Sequence, residues 1–427
     1  MSSTPASPFR PPFPATTTPS PDGADEAPVV PLSLFGFECS LDTVPLDTLE
    51  SVTRAVSREA VERWFDRFPT VQEVALLSTC HRVEIYVLAR NPEDRERWRE
   101  VLPEARGAWR ARDGWEAVHH LFRVAAGRES SAMGEAEVRL QVQAASRTVV
   151  SRHPRPVLRE VFLEAASAAR EVSDPEAAPV SIASLAVERL RELVDRPNPR
   201  VLVVGSGTVG RQVACDLAPF ARVTLVFHAR PPDPPFLRAA GVDAVRLDRL
   251  PMELRTADAV VTAAKFGDRG LRADELPRDR PIVLVDLGMP RNIDPAAREL
   301  PNVRLVDLQE LYGISRASSA PDLFDGRVEE LATRFYDHLA QGLSGPWVDA
   351  LLRAAEATRR SELKTARPFL GPLDPDQEAA IERLTRRLVA RLVIPPVERV
   401  RTLPAGPEGD LQLRIALELL RPTDPDP

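Results

Sequence analysis

Long apolar runs are absent from this 427-residue chain: none reaches the roughly 18 residues that a membrane-spanning helix needs, and the first residues have no basic stretch followed by an apolar one. A cytoplasmic protein is expected, with neither membrane nor secretory segments. Cysteine is scarce too. Cys39, Cys80 and Cys215 are odd in number, far apart and free of any C-x-x-C pairing, which argues against a disulfide framework and against zinc, so no metal site is expected. Lysine occurs only at Lys265 and Lys364, so the positive charge is almost all arginine. The net charge of -7 excludes a broadly nonspecific nucleic-acid binder, because phosphate binding needs a positive field, but leaves room for a local basic surface that docks one structured RNA.

What is present suggests two or three domains, given the length and a hydrophobic fraction of 43%. Residues 1–30, rich in Pro, Ser and Thr, read as a disordered tail. Residues 31–170 have a mixed α+β pattern: a strand "LSLFGFE", a helix over about 46–68, strands over about 71–77 and 83–88, then helices. In "GWEAVHHLFRVAAG", Trp115, Val118, Leu121, Phe122 and Ala125 recur at three- and four-residue spacing and predict one buried helix face. The Pro- and acid-rich "EVSDPEAAPV", 171–180, marks a boundary. Over 178–307 the runs "RVLVVG", "RVTLVF", "DAVVTAA" and "PIVLVDLG" alternate with helical segments and predict a parallel α/β sheet. From 308 to 427 strand signals fade into amphipathic helices whose apolar stripes suit a dimer.

The stretch "RVLVVGSGTVGRQVACDLA" is a strand, then Gly205, Ser206, Gly207, Thr208, Val209 and Gly210, then a helix. That is the context in which G-x-G-x-x-G binds a dinucleotide. Gly205 permits the tight turn, Gly207 lets the backbone approach a pyrophosphate, and Gly210 allows close helix packing. A tight turn without a ligand is the alternative. About 20 residues on, the second strand ends in "HAR" rather than in an acidic residue, and Arg230 there suits a 2′-phosphate, which favours NADPH over NADH; Arg230 is otherwise a solvated surface charge.

The segment "LLSTCHRVEIYVLAR", 76–90, places Cys80 between two β-prone runs. Such a cysteine is either a small buried hydrophobe or a nucleophile activated by nearby positive charge, for which Arg82 or a histidine would serve. One economical partner for a nicotinamide is a cysteine that takes an acyl group from an activated ester as a thioester, which hydride then reduces to an aldehyde.

"STCHRVEIY", 78–86, resembles the Ser-Thr-Cys-Asn-Arg-x-Glu-x-Tyr signature of glutamyl-tRNA reductases. "HLFRVAAGRESSAMGEAEVRLQV", 120–142, is similar to that family's second signature, and "VSIASLAVE", the glycine loop, "VDLGMPRNIDP" and "RLVIPPVERVR" follow in the family's order, so the resemblance spans roughly 32–403. It implies an α/β multidomain chain with an N-terminal α+β catalytic domain, a Rossmann-type NADP domain, and a C-terminal helical dimerisation domain with a long connecting helix. It further implies NADPH-dependent reduction of glutamyl-tRNA to glutamate-1-semialdehyde, the first step of five-carbon tetrapyrrole synthesis, by a homodimer, with an aminomutase as partner for the unstable aldehyde. Carried over by position, Cys80 forms the thioester, His120 acts in proton transfer, Arg82 pairs with the substrate's α-carboxylate, and Thr79, Ser130 and Gln141 recognise the glutamate moiety. Where the family has asparagine after the cysteine this chain has His81; in an extended segment neighbouring side chains point to opposite faces, so His81 need not touch Cys80, and if it reaches the thiol it would raise the thiolate fraction. The competing reading is a non-catalytic dinucleotide- or RNA-binding relative on the same scaffold.

Overall fold

The computed structural model describes residues 32–90, 93–103, 107–129, 136–172, 181–264, 270–318 and 325–401, together with residues 412, 415 and 416. The tail expected over 1–30 lies outside the described residues. The first unit runs β1 (Ser33–Ser40), α1 (Leu46–Ala55), α2 (Arg58–Arg67), β2 (Val71–Ser78), β3 (Arg82–Ala89), α3 (Asp94–Val101), β4 (Arg110–Asp113), α4 (Gly114–Ala125), α5 (Ala136–Ala145), β5 (Val150–Ser151) and α6 (Val157–Glu171). Its five strands form an antiparallel sheet in the order β4-β1-β3-β2-β5. The single helix expected over about 46–68 is two, because the chain leaves helical geometry at Val56 and the Ser57 side chain accepts the Ala60 N–H to start a second helix. The pleat sorts the side chains: Phe35, Phe37, Val83, Ile85 and Val87 face α1–α3, whereas Leu34, Tyr86 and Leu88 face α4–α6. With both faces covered, β3 is buried along its whole length.

The second unit runs α7 (Ile182–Leu193), β6 (Arg200–Val204), α8 (Thr208–Leu217), β7 (Arg222–Phe227), α9 (Pro234–Ala240), β8 (Asp243–Arg246), α10 (Leu250–Leu254), β9 (Ala259–Thr262), β10 (Ile282–Asp286), β11 (Val303–Val306) and α11 (Leu308–Ser318). All six strands are parallel, in the order β11-β10-β9-β6-β7-β8. This is the doubly wound Rossmann order, and the direction of winding reverses between β6 and β9, which opens a crevice at the strands' carboxyl ends. Although α11 falls in the region expected to be the helical third part, Leu308 and Leu311 pack into this sheet's core.

Two long helices follow, α12 (Asp325–Leu370) and α13 (Pro375–Arg401). At 46 residues α12 is about 69 Å long. Its first turns insert Val328, Leu331, Ala332, Tyr336 and Leu339 into the core beside α4 and α6. On α13, Leu384, Leu388 and Leu392 form an exposed apolar stripe at four-residue spacing. No helix among the described residues is long and apolar enough to cross a membrane.

Beside α1 the two units are joined by ion pairs and hydrogen bonds. The Arg291 backbone N–H and Nε donate to the two oxygens of Glu50 at 2.8 and 2.9 Å, and its Nη2 reaches Asp47 at 2.5 Å. Next to them the Leu46 N–H donates to Gln309 Oε1 at 3.1 Å.

Candidate active site

Cys80 lies in the tight connection between β2 and β3. The last paired residues are Ser78 and Val83, and the turn is closed by the Thr79 N–H donating to the Arg82 carbonyl at 2.9 Å. Thr79 Oγ1 accepts from the His81 N–H at 3.2 Å, and the His81 carbonyl accepts from the Leu41 N–H at 3.0 Å, which pins the loop to the end of β1. Because this is a turn and not extended chain, the opposite-face geometry does not apply, and of the two alternatives left for His81 the one realised is contact with Cys80. Cys80 Sγ is 3.2 Å from His81 Nδ1 and 3.9 Å from Nε2, distances that place the sulfur against the nitrogen side of the ring instead of on either lone-pair axis. Tyr312 of α11 lies on the same imidazole, centroid to centroid 5.7 Å. Burial and the Arg82 charge push the His81 imidazole down to about 3, so it is neutral at physiological pH and brings no positive charge to the thiol.

Arg82 is 1% exposed, which rules out a plain surface ion pair. Arg82, Glu84 and Tyr86 alternate onto the helix-facing side of β3, and the register sets Glu84 directly opposite Glu38 of β1. Two carboxylates facing each other across a ladder repel unless cations lie between them. Here Arg82 Nη1 donates to Glu84 Oε1 at 3.1 Å and stands 3.7 Å from Glu38, Arg112 pairs with Glu38, and Ser40 Oγ donates to Glu38 at 2.8 Å. His120 of α4 meets the same cluster, its Nε2 3.0 Å from Glu84 Oε1 and 3.6 Å from Glu38, while Tyr86 Oη donates to Glu84 Oε2 at 2.7 Å. Burial tends to raise the Glu84 carboxyl, but His120, Arg82 and Tyr86 outweigh it and hold it at about 2. Glu38, Glu84 and His120 are close enough to hold a metal ion, yet both carboxylates are already engaged by arginine. Among the described residues the buried Arg82 Nη2 has no hydrogen-bond partner. The neighbouring His119 points elsewhere and stacks on Trp115 at 4.6 Å.

A cavity of about 850 Å³ lies between the two units. Thr79, Cys80, Glu137 and Gln141 line one wall; Gly205, Ser206, Gly207, Thr208, Val209 and Arg230 line the other. Gly210 is buried beneath the loop, where a Cβ would lie 1.9 Å from the Gly205 carbonyl oxygen. Gly205 has φ +122°, and a Cβ there would meet the Ala263 carbonyl at 2.5 Å. A Cβ on Gly207 would meet nothing within 4 Å, and no side chain caps α8, so the loop presents open space and a bare helix N-terminus. Those features fit a dinucleotide pyrophosphate. Below them Asp286 accepts from Thr262 Oγ1 and from the Gly288, Asn292 and Ile293 N–H groups, all at 2.8–2.9 Å, and fixes the turn after β10.

Of the residues expected at the site, Thr79, Cys80, Gln141, Arg230 and the loop from Gly205 to Val209 thus share one cavity, while Arg82 and His120 sit behind it in the ion cluster. Ser130 lies outside the described residues. Sequence reasoning missed Glu38, Arg112, Asp286, Tyr312 and Glu137; alternation in "GFECS" and "RVEIY" could have flagged the inward carboxylates.

The model of the glutamyl-tRNAGlu reductase N-terminal domain matches residues 38–175, that of shikimate/quinate 5-dehydrogenase residues 184–314, and that of the glutamyl-tRNAGlu reductase dimerisation domain residues 325–421. A glutamyl-tRNA reductase of Rubrobacter xylanophilus is 30% identical over 363 residues, covering 78% of this chain and 83% of that protein. The chain belongs to the glutamyl-tRNA reductase family. Another glutamyl-tRNA reductase, of Syntrophotalea carbinolica, is 27% identical over 90% of this chain and 93% of its own length. The solved glutamyl-tRNA reductase from Methanopyrus kandleri is 26% identical and covers 91% of this chain and 98% of its own, with a TM-score of 0.44. Within the family frame, the glycine loop belongs to a dinucleotide-binding domain and α12 and α13 to the dimerisation domain.

Proposed function

We propose that this chain reduces glutamyl-tRNA to glutamate-1-semialdehyde with NADPH, through a thioester on Cys80. The observation that carries this is the single cavity shared by Cys80 and the glycine loop, since a thioester on that sulfur faces the nucleotide wall directly. Division of labour follows the chain: a catalytic unit over 31–170, a dinucleotide unit over 178–307 that α11 completes, and a dimerisation part from α12 onward, with the stripe Leu384, Leu388 and Leu392 as the surface a second copy covers. Cytoplasmic location follows from the charged tRNA substrate, and an aminomutase takes the aldehyde.

Cys80 Sγ attacks the ester carbonyl, the new C–S bond forms, the C–O bond to the tRNA's terminal ribose breaks, and the ribose oxygen leaves with a proton. The proton the thiol gives up is the one the ribose oxygen takes; His81, 3.2 Å from the sulfur but held at about 3, is too weak a base to keep it. Since the α-carboxyl is the esterified group, the carboxylate left for Arg82 is the γ one, not the α-carboxylate expected from the sequence. Arg82 Nη2, buried and without a partner, is the donor that would meet it. His120 and Glu84 act as positioning residues: they orient that guanidinium from behind the cavity. Thr79 fixes the turn that aims the sulfur, and Ser130 and Gln141 complete glutamate recognition. Gly205, Gly207 and the α8 N-terminus would hold the pyrophosphate, and Arg230 the 2′-phosphate; bound there, NADPH supplies the hydride that takes the thioester to the aldehyde.

The test is single-turnover reaction with glutamyl-tRNA labelled in the glutamate, first without NADPH and then with it. Label held on the protein, lost in Cys80→Ser and converted to aldehyde on adding NADPH, is expected. Intact tRNA binding with neither label nor aldehyde would replace this reading by a non-catalytic relative.

A further inference from the structure

The dinucleotide wall has two halves, and strand order tells them apart. The loop from Gly205 to Val209 follows β6 and Arg230 follows β7, so the pyrophosphate and the 2′-phosphate take the part of the crevice over β6 and β7. The nicotinamide end is left the other half, over β9 and β10, where Ala263, Ala264, Leu287, Gly288 and Met289 line the same cavity as Cys80. The turn after β10 is therefore the part of the nucleotide unit that must stand correctly against the thioester.

That turn is clamped from two sides. Within its own unit Asp286 takes the N–H groups of Gly288, Asn292 and Ile293. The Arg291 N–H goes instead to the other unit and donates to Glu50 Oε1 of α1 at 2.8 Å. Arg291 Nε and Nη2 both donate to Glu50 Oε2, at 2.9 and 2.6 Å. Glu50 is 5% exposed and the Arg291 side chain 13%, so the pair is screened far less by water and salt than a surface ion pair. The turn is also tightly packed: a Cβ on Gly288 would fall 2.2 Å from Asn292 Nδ2, and Met289 packs against core residues of both units. A displacement at Arg291 is thus carried to Gly288 and Met289 in the cavity wall.

We infer that Arg291 and Glu50 are positioning residues for the hydride step: the pair sets the nicotinamide half of the nucleotide wall at the distance from Cys80 that hydride transfer needs. This rests on the thioester reading of Cys80. The cavity is lined by other residues, so the pair acts through the turn and not by touching substrate or nucleotide. Acylation uses the catalytic unit's wall, and nucleotide affinity comes from the glycine loop and Arg230, so neither depends on the pair. Reduction does, because it brings reacting atoms from the two units within about 3–3.5 Å, and a misplacement of about 1 Å costs about a hundredfold.

The experiment loads the full chain with labelled glutamate from glutamyl-tRNA, removes the tRNA, adds NADPH and follows aldehyde in a single turnover. Glu50→Gln keeps the side chain's size and one acceptor oxygen; Arg291→Met keeps the backbone N–H and removes the guanidinium. Each is expected to slow reduction by about tenfold to a hundredfold, with label capture and NADPH affinity within about twofold of wild type. Because the two residues act as one contact, the double variant should be no slower than the slower single one. A second readout needs no turnover. The nucleotide unit has no tryptophan, whereas Trp64, Trp98, Trp109 and Trp115 belong to the catalytic unit, so energy transfer from tryptophan to bound NADPH reports the spacing of the units and should differ from wild type in both variants. Reduction at the wild-type rate, or unchanged energy transfer, in both variants would overturn the positioning role while leaving acyl transfer intact. Losses of label capture or NADPH affinity as large as the loss of reduction would overturn it too, since they mark a general loss of structure. Absence of label on wild-type Cys80 would overturn the thioester reading and this role with it.

Discussion

Glu84→Gln is the sharpest test of the buried ion cluster. The carboxylate accepts from Arg82 at 3.1 Å and Tyr86 at 2.7 Å and sits 3.0 Å from His120, all but closed to solvent at 1% exposure. Burial works against its charge, and these neighbours nevertheless bring it from an ordinary 4.5 to about 2. Converted at about 1.4 kcal/mol per tenfold, that depression is worth about 3 kcal/mol of folding stability at neutral pH. Removing one partner of a buried pair independently gives about 3–5 kcal/mol, so the two routes agree. The folded carboxyl is depressed, so its contribution is fully present above the unfolded value and is lost as pH falls through the window from 4.5 towards 2. By pH 3.5 about 1.4 kcal/mol of it should be gone. Denaturant unfolding followed by tryptophan fluorescence reports on this unit, because Trp64, Trp98, Trp109 and Trp115 are four of the five tryptophans. The variant should unfold at lower denaturant at pH 7, and its deficit should narrow on acidification. A deficit below about 1 kcal/mol, or one that does not change with pH, would refute the cluster as drawn.

Cys80→Ser should abolish acyl capture and aldehyde formation while leaving NADPH affinity within about twofold, since the nucleophile is lost and the glycine wall is untouched; aldehyde production in that variant, measured by trapping, would sink the thioester route. Arg230→Ala should weaken NADPH by about tenfold or more and NADH hardly at all, as one charge-assisted hydrogen bond to a 2′-phosphate predicts; equal losses for both nucleotides in a fluorescence titration would remove the assignment. Gly210→Ala forces a methyl to 1.9 Å from the Gly205 carbonyl, so the loop must move. It should lower stability by about 1–3 kcal/mol and weaken both nucleotides alike, and unchanged affinity for both would show that the loop does not bind the pyrophosphate.

How much of this was legible depended on range in the chain. The glycine loop needs only a strand, a turn and a helix, all within 200–217, and it folds as read. The alternating runs after 178 are four of the six strands of the parallel sheet, β6, β7, β9 and β10; the short β8 and β11 were not read. In contrast, β4 and β5 are four and two residues long and carry no apolar alternation, so nothing local marks them. Glu38 and Glu84 are 46 positions apart, and only the β1–β3 register sets them face to face. That pairing sets Arg82, read from the sequence as a partner of the substrate's carboxylate, at the centre of a buried network. For His81 the open choice was settled locally: strand alternation does not extend to residues that form the turn itself.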